Sequence, residues 1–169
     1  MKRTVSLVFA TAALAGSAIV LSAPIAHADD YVCRGTITNR SIDGDVVVPS
    51  GATCTINGGD IDGNVKVYRN ATVHVNGTTV KGNLQAENHR HVASARARID
   101  GSIQLKQGGS ADLTANRVNS DIQSFTNRGR QVFRSNVVDG NLQCKENVPA
   151  PTGGANIVHG NKEDQCRRL

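Results

Sequence analysis

The chain has 169 residues, a formal net charge of +5 and only 3% aromatic residues. So small a charge excludes an argument for nucleic-acid binding from electrostatics alone. The scarcity of aromatics weighs against a conventional globular core, and the abundance of Gly, Asn, Asp, Val and Ile suits short strands joined by tight turns.

The amino-terminal residues come first. Lys2 and Arg3 precede an apolar run from Val5 to Val20, which leads to Ala26-His27-Ala28 and then Asp29-Asp30. A basic start, an apolar middle and an A-x-A site are the parts of a secretory signal peptide. The expectation is therefore a signal peptide over 1–28, cleaved after Ala28, and an exported domain over 29–169. No Cys lies near the cleavage point, which argues against a lipoprotein. No later stretch approaches the ~20 apolar residues of a membrane span. Without Lys2 and Arg3 the charge falls to about +3, mildly basic.

The rest of the chain is one repeat. Ile42-Asp43-Gly44-Asp45-Val46 returns as Ile61-Asp62-Gly63-Asn64-Val65, Val80-Lys81-Gly82-Asn83-Leu84 and Ile99-Asp100-Gly101-Ser102-Ile103. It returns again as Val118-Asn119-Ser120-Asp121-Ile122, Val138-Asp139-Gly140-Asn141-Leu142 and Val158-His159-Gly160-Asn161-Lys162. The central positions are spaced by 19, 19, 19, 19, 20 and 20 residues. Such a unit is too short for a strand–helix–strand repeat and shows no helical period. It fits one coil of a β-solenoid. The expected fold is all-β: a single-domain right-handed parallel β-helix of about seven 19–20-residue coils, roughly 33 Å long at ~4.8 Å per coil. The six-residue sub-period of a left-handed β-helix is missing, and a β-sandwich would not produce columns.

Each column predicts an environment. The aliphatic residues on either side of the centre should point inward and stack. The central Gly, read as a positive-φ corner, should turn the chain. The short polar residue after it (Asp45, Asn64, Asn83, Ser102, Asp121, Asn141, Asn161) should bond the turn and form a ladder. Lys66, Gln85, Gln104, Gln123 and Gln143 should face solvent by strand alternation. Asn116, Asn136 and Asn156 offer a second ladder.

Four cysteines lie beyond Ala28, an even number that suits an oxidising compartment. Three pairings are possible. Cys33 and Cys54 are one coil apart, as are Cys144 and Cys166, so the repeat selects Cys33–Cys54 and Cys144–Cys166. The close C-x-x-C spacing of a metal site is absent. In the last coil Lys162 and Asp164 replace apolar residues and Arg167-Arg168-Leu169 follow. Charges at that end should discourage end-to-end growth, which favours a monomer over a filament.

Reactive chemistry is sparse, and no catalytic, cofactor-binding or metal-ligating residue is assigned. His89-Arg90-His91 could present two imidazoles on one strand face, although a loop is the plainer reading. Asp43, Asp62, Asp100 and Asp139 share a column and could form an acid/base pair or a Ca²⁺ site, but Lys81 interrupts them. Arg96, Arg98, Arg117, Arg128, Arg130 and Arg134 make the middle coils basic and are the candidate polyanion-binding residues, the partner being an acidic wall or extracellular polymer. Aromatic platforms for sugars or bases are nearly missing, which disfavours specific carbohydrate or single-strand recognition. The threonines at 36, 38, 53, 55, 72, 78 and 79 look out of phase for a regular hydroxyl array.

The carboxy-terminal stretch Asp139-Gly140-Asn141-Leu142-Gln143-Cys144-Lys145-Glu146-Asn147, Pro149-Ala150-Pro151-Thr152-Gly153-Gly154 and Gly160-Asn161-Lys162-Glu163-Asp164-Gln165-Cys166 resembles the ending of small secreted β-helix proteins of actinobacteria. That resemblance implies secretion, a solenoid body and no transferable catalytic residue. The coil pattern is also loosely similar to bactofilin-type polymer-forming proteins, which are cytoplasmic and lack Cys-closed ends. The function implied is a secreted, non-enzymatic structural or binding module, with a polysaccharide-active enzyme and a self-assembling filament as alternatives.

Overall fold

The structure is a computed structural model describing residues 30–169. The expected signal peptide lies outside the described residues. Among the described residues there is no helix. The chain winds through three parallel sheets, visiting each once per coil. Sheet 1 has eight strands, from Tyr31–Val32 to Lys162–Asp164, and sheet 2 has seven, from Thr36–Thr38 to Thr152–Gly154. Sheet 3 has seven two-residue strands, from Ser41–Ile42 to Ile157–Val158. The molecule is a β-solenoid of about seven turns, as the repeat predicts.

The core follows from strand alternation within a constant coil length. Val46, Val65, Leu84, Ile103, Ile122 and Leu142 stack in register on sheet 1 and are fully buried. Ile42, Ile61, Val80, Ile99, Val118 and Val138 do the same on sheet 3. Sheet 2 supplies Ile37, Ile56, Val75, Ser94, Leu113 and Phe133. Phe133 is the largest fully buried side chain. Each buried aliphatic contributes about 1.5–3 kcal/mol, and identical shapes on successive coils let them interlock.

The corner carrying the repeat centre is built differently from the sequence reading. The central glycines are not in the left-handed region. Positive φ falls at the other two corners, mostly on residues with side chains: Asn70, Asn88, Gln107, Thr126 and Glu146 between sheets 1 and 2, and Arg96, Ala115, Ser135 and Ala155 between sheets 2 and 3. Gly is required at the centre by close approach. A Cβ on Gly82 would stand 2.6 Å from both Asn64 Oδ1 and Gly63 O, and one on Gly160 would meet Asn141 Oδ1 and Gly140 O at 2.6 Å.

The oxygen in the way belongs to the predicted ladder. Asn83 N–H donates to Asn64 Oδ1 at 2.8 Å, Ser102 N–H to Asn83 Oδ1 at 2.8 Å, and Asn161 N–H to Asn141 Oδ1 at 2.8 Å. The weak rung is Ser102, whose hydroxyl accepts from Asp121 N–H at 3.3 Å. One coil further on stands Ser120, the one non-Gly centre. A Cβ in the central column therefore coincides with a missing amide in the ladder below it. Ser102→Asn and Ser120→Gly should be coupled. Together they should stabilise the fold by about 1 kcal/mol, a hydrogen bond's net worth, whereas Ser102→Asn alone should destabilise it. A double-mutant cycle in urea measures the coupling.

Both disulfides join neighbouring coils as expected. Cys33–Cys54 and Cys144–Cys166 have Cα–Cα distances of 5.6 and 5.2 Å. Each loop contributes on the order of 3 kcal/mol in the chain-entropy model. Peptide mapping without reductant should return these two links and no cross-link between the ends.

The ends are closed by side chains. Tyr31 lies partly buried against the core, with the Arg40 guanidinium 5.1 Å from its ring centre and Arg40 Nη1 donating to its hydroxyl at 3.2 Å. At the other end Lys162 takes the register position above Leu142, and its Nζ donates to Asn156 O at 2.9 Å. A lysine at this position ends the aliphatic stack of sheet 1. Leu169 packs against the core behind it.

Candidate functional site

Two corners carry buried polar columns. Asn116, Asn136 and Asn156 form the expected ladder: Asn116 N–H donates to Asn136 Oδ1 and Asn136 N–H to Asn156 Oδ1, both at 3.0 Å. A second ladder, absent from the sequence reading, holds the corner between sheets 1 and 2. Gly108 N–H donates to Asn127 Oδ1 at 2.9 Å, Asn127 N–H to Asn147 Oδ1 at 3.1 Å, and Asn147 N–H to Gln165 Oε1 at 2.9 Å. Both ladders satisfy backbone groups where the chain leaves its sheets. They are structural.

His89 occupies the coil before Gly108 in that second column. It is 3% exposed, and neither ring nitrogen has a hydrogen-bond partner. Gly108 makes room for it, since a Cβ there would run into the imidazole. Burial pushes the His89 pKa down to about 4. The H-x-H pair therefore does not share a face: His89 turns inward at the corner, while His91 opens an outward column on sheet 2.

That outward column brings together residues far apart in the sequence. The His74 and His91 rings lie 5.7 Å apart, tilted by 53°. His91 Nδ1 and Ser110 Oγ are 2.8 Å apart, and Asp112 Oδ2 lies 4.0 Å from His91 Nε2. Burial holds the His91 pKa below its usual value, against the opposing pull of Asp112. Serine, histidine and aspartate so placed resemble a nucleophile, its base and an orienting carboxylate. Two features argue against that chemistry. Asp112 is beyond hydrogen-bond range of the ring and is engaged by Arg130 Nη2 at 3.2 Å. The strand N–H groups around Ser110 donate to neighbouring strands (Ser110 to Arg90 O, Ala111 to Arg130 O), so they are not free to hold an oxyanion.

On sheet 3 and its turn, opposite charges pair. Lys81 Nζ lies 2.7 Å from Asp62, Arg98 Nη2 2.9 Å from Asp100, and Arg117 Nη2 3.5 Å from Asp139, which His159 also contacts at 2.9 Å. Asp62 is thus committed to Lys81, whose pKa it raises, and is not free to work with Asp43. Asn119 Nδ2 donates to Asp100 at 2.9 Å. Among the described residues no three His, Cys, Asp or Glu side chains gather as a metal-binding group.

The six arginines do not all come together. Arg98 and Arg117 are register neighbours on sheet 3, each beside an aspartate. Arg96 stands at the turn between sheets 2 and 3, and Arg134 ends a sheet 2 strand next to that turn. Arg128 and Arg130 precede the sheet 2 strand Gln131–Arg134, at the corner between sheets 1 and 2. Arg96, Arg128 and Arg134 are exposed.

Sheet 1 carries the longest regular outward line. Lys66, Gln85, Gln104, Gln123, Gln143 and Glu163 follow one another in register. Gln85 Nε2 donates to Gln104 at 3.3 Å, Gln123 Nε2 to Gln143 at 2.9 Å, and Gln143 Nε2 to Glu163 at 2.9 Å. Lys66 is bound to Asp45. Burial pushes the Asp45 carboxyl up, but hydrogen bonds from Asn64 and Lys66 outweigh it and hold the pKa below its usual value. Beside this line Glu87, Lys106 and Phe125 form a second register column, and Tyr68, 48% exposed, stands at the end of the strand one coil earlier. Between the two columns runs a groove of about 330 Å³. Few as the aromatic residues are, two of them, Tyr68 and Phe125, stand beside the glutamine line, against the expectation that platforms for a sugar are nearly missing. Likewise Thr36 pairs with Thr55 and Thr53 with Thr72, so part of the threonine array is in phase on sheet 2. His74 ends the first run and His91 the second.

The fold and its surfaces define a disulfide-closed parallel β-solenoid. Compared with known protein families, curated proteins and solved structures, the chain matches none. Two disulfides are consistent with an extracellular protein, and among the described residues no helix is long and apolar enough to cross a membrane.

Proposed function

We propose that the protein is a secreted, non-enzymatic rod, a monomeric structural or binding module that presents its faces to an extracellular or wall polymer. The observation that carries this reading is how the outward polar groups are used. They bond one another along the rod, as in the Gln line and the Asp–Lys and Asp–Arg pairs, rather than converging on one reacting atom. The closed ends support a discrete particle over a filament. Incubating the folded chain with polygalacturonate, alginate and neutral glucans tests it. Turnover of any of them would overturn the non-enzymatic reading, and an apparent mass by light scattering that rises with concentration would overturn the monomer.

A second reading keeps the acidic polymer as partner. Arg96 and Arg134 stand at the corner between sheets 2 and 3, two coils apart, and like Arg128 they are exposed and carry no aspartate ion pair, so these three are the strongest of the six arginines for a polyanion. Such binding would weaken steeply with salt.

A further inference from the structure

The geometry points to the sheet 1 groove as a binding site for an uncharged, extended polysaccharide chain lying along the rod axis. This inference rests on the reading of the rod as a binding module and names the ligand class for one of its faces.

The groove is lined by Lys66, Tyr68, Gln85, Glu87, Gln104 and Lys106, contributed by three successive coils. Its walls are the same two strand positions repeated, so it runs parallel to the axis over on the order of 10 Å between its outer coils. A ligand that repeats along its own length can make a similar contact at each coil. The backbone beneath is fully committed to the parallel ladder, with Leu84, Gln85, Ala86 and Glu87 paired on to the next coil. A peptide could therefore not add as a strand, and recognition falls to side chains.

Those side chains are suited to hydroxyl groups. A glutamine amide both donates and accepts. The Gln85–Gln104 bond leaves the Gln85 carbonyl and the Gln104 amino group without a protein partner, and no bond links Gln104 to Gln123. A donor and an acceptor thus stand free on the groove wall, one coil apart. Tyr68, 48% exposed, offers a ring face at one end, and Phe125 continues its side of the groove past Lys106. An aromatic face beside hydrogen-bonding amides suits a sugar, which is apolar on the faces of its ring and polar at the edge.

The charge balance selects a neutral chain. Lys66 is neutralised by Asp45, and Glu87 and Lys106 are register neighbours of opposite sign. The groove offers no net charge to a polyanion, unlike the arginine-bearing turn on the other side of the coil.

The test is calorimetric titration of the folded chain with β-1,4-linked glucose and N-acetylglucosamine hexasaccharides, at low and high salt, with the products examined afterwards. Binding of at least one is expected, unchanged by salt. Tyr68→Ala should weaken it about tenfold, Tyr68→Phe should keep it, and Thr114→Ala on sheet 2 should leave it unchanged. Thermal melts of each variant establish that the fold is intact. Failure of both sugars to bind, or binding that Tyr68→Ala does not alter, would overturn the groove. So would binding confined to polygalacturonate and released by salt, which would leave the arginine reading standing. Hexasaccharide that is bound and also shortened would support the groove and overturn the non-enzymatic reading.

Discussion

Asn136→Leu should destabilise the protein by about 4 kcal/mol, although leucine matches asparagine closely in size and is more apolar. The Asn136 side chain serves three partners inside the wall. Its Oδ1 accepts from both the N–H and the Nδ2 of Asn116 at 3.0 Å, and its Nδ2 donates to Leu113 O at 2.9 Å and to Asn156 Oδ1 at 3.0 Å. Asn116, Asn136 and Asn156 are all buried. Leucine would leave the Asn116 N–H without a partner or water and would take one hydrogen bond each from Leu113 O, Asn156 Oδ1 and Asn116 Nδ2. Each orphaned buried group costs about 1–3 kcal/mol, and a methyl group in place of the amide recovers little of that. Urea titration should show the loss, with a fall in Tm of roughly 10 °C or more for a domain of this size. A leucine variant within about 1 kcal/mol of the parent would mean that the ladder is not holding the corner.

The ladders show what the sequence made legible and what it hid. The column of Asn116, Asn136 and Asn156 was readable because one residue type returns at the coil spacing. The column of Asn127 and Asn147 was not. Its next member is Gln165, displaced by the final turn, and its earlier members are Gly108 and His89, so residue type changes while geometry does not. The central glycines were visible, but their cause was misread. Crowding between coils depends on what stands in the neighbouring coil, here the Asx oxygen, and no single repeat contains that information.

The outward faces were harder still. A coil of about nineteen residues passes all three sheets, so arginines close in sequence part company: Arg96 stands at the corner after sheet 2 while Arg98 lies on sheet 3, and Arg128 and Arg130 stand before the sheet 2 strand that Arg134 ends. Conversely, His74 and His91 meet as diagonal neighbours because Thr72 pairs with His91 and His74 with Ala93. Core columns repeat because stacking forces like onto like. Outward positions are free of that constraint. Tyr68 and Phe125 stand beside one groove but are separated by Glu87 and Lys106, and nothing in the repeat marks them as a pair.

The second large effect concerns acid. Lowering the pH from about 6.5 to 4 should remove roughly 3 kcal/mol of stability through His89 alone. Its imidazole is buried at a corner with neither nitrogen in good hydrogen-bond geometry, and burial holds its pKa at about 4 against a weaker opposing pull from the nearby Ala86 backbone, with His91 adding in the same direction as burial. In the unfolded chain the same group titrates near 6.5. Below that pH the unfolded state takes up a proton that the folded state refuses, so stability falls with each step toward acid, at up to 1.4 kcal/mol per pH unit. The loss levels off below the folded pKa, and above neutrality His89 contributes no pH dependence. His91 is depressed as well and adds a smaller slope of the same sign. His89→Leu fills the corner beneath Gly108 with an apolar side chain and deletes two unsatisfied nitrogens, so stability at pH 7 should hold or rise. Urea midpoints at pH 7, 5.5 and 4 should then be far flatter for the variant than for the parent. An unchanged slope would show that the acid sensitivity arises elsewhere, and would remove the reason for regarding this corner as the acid-sensitive point of the wall.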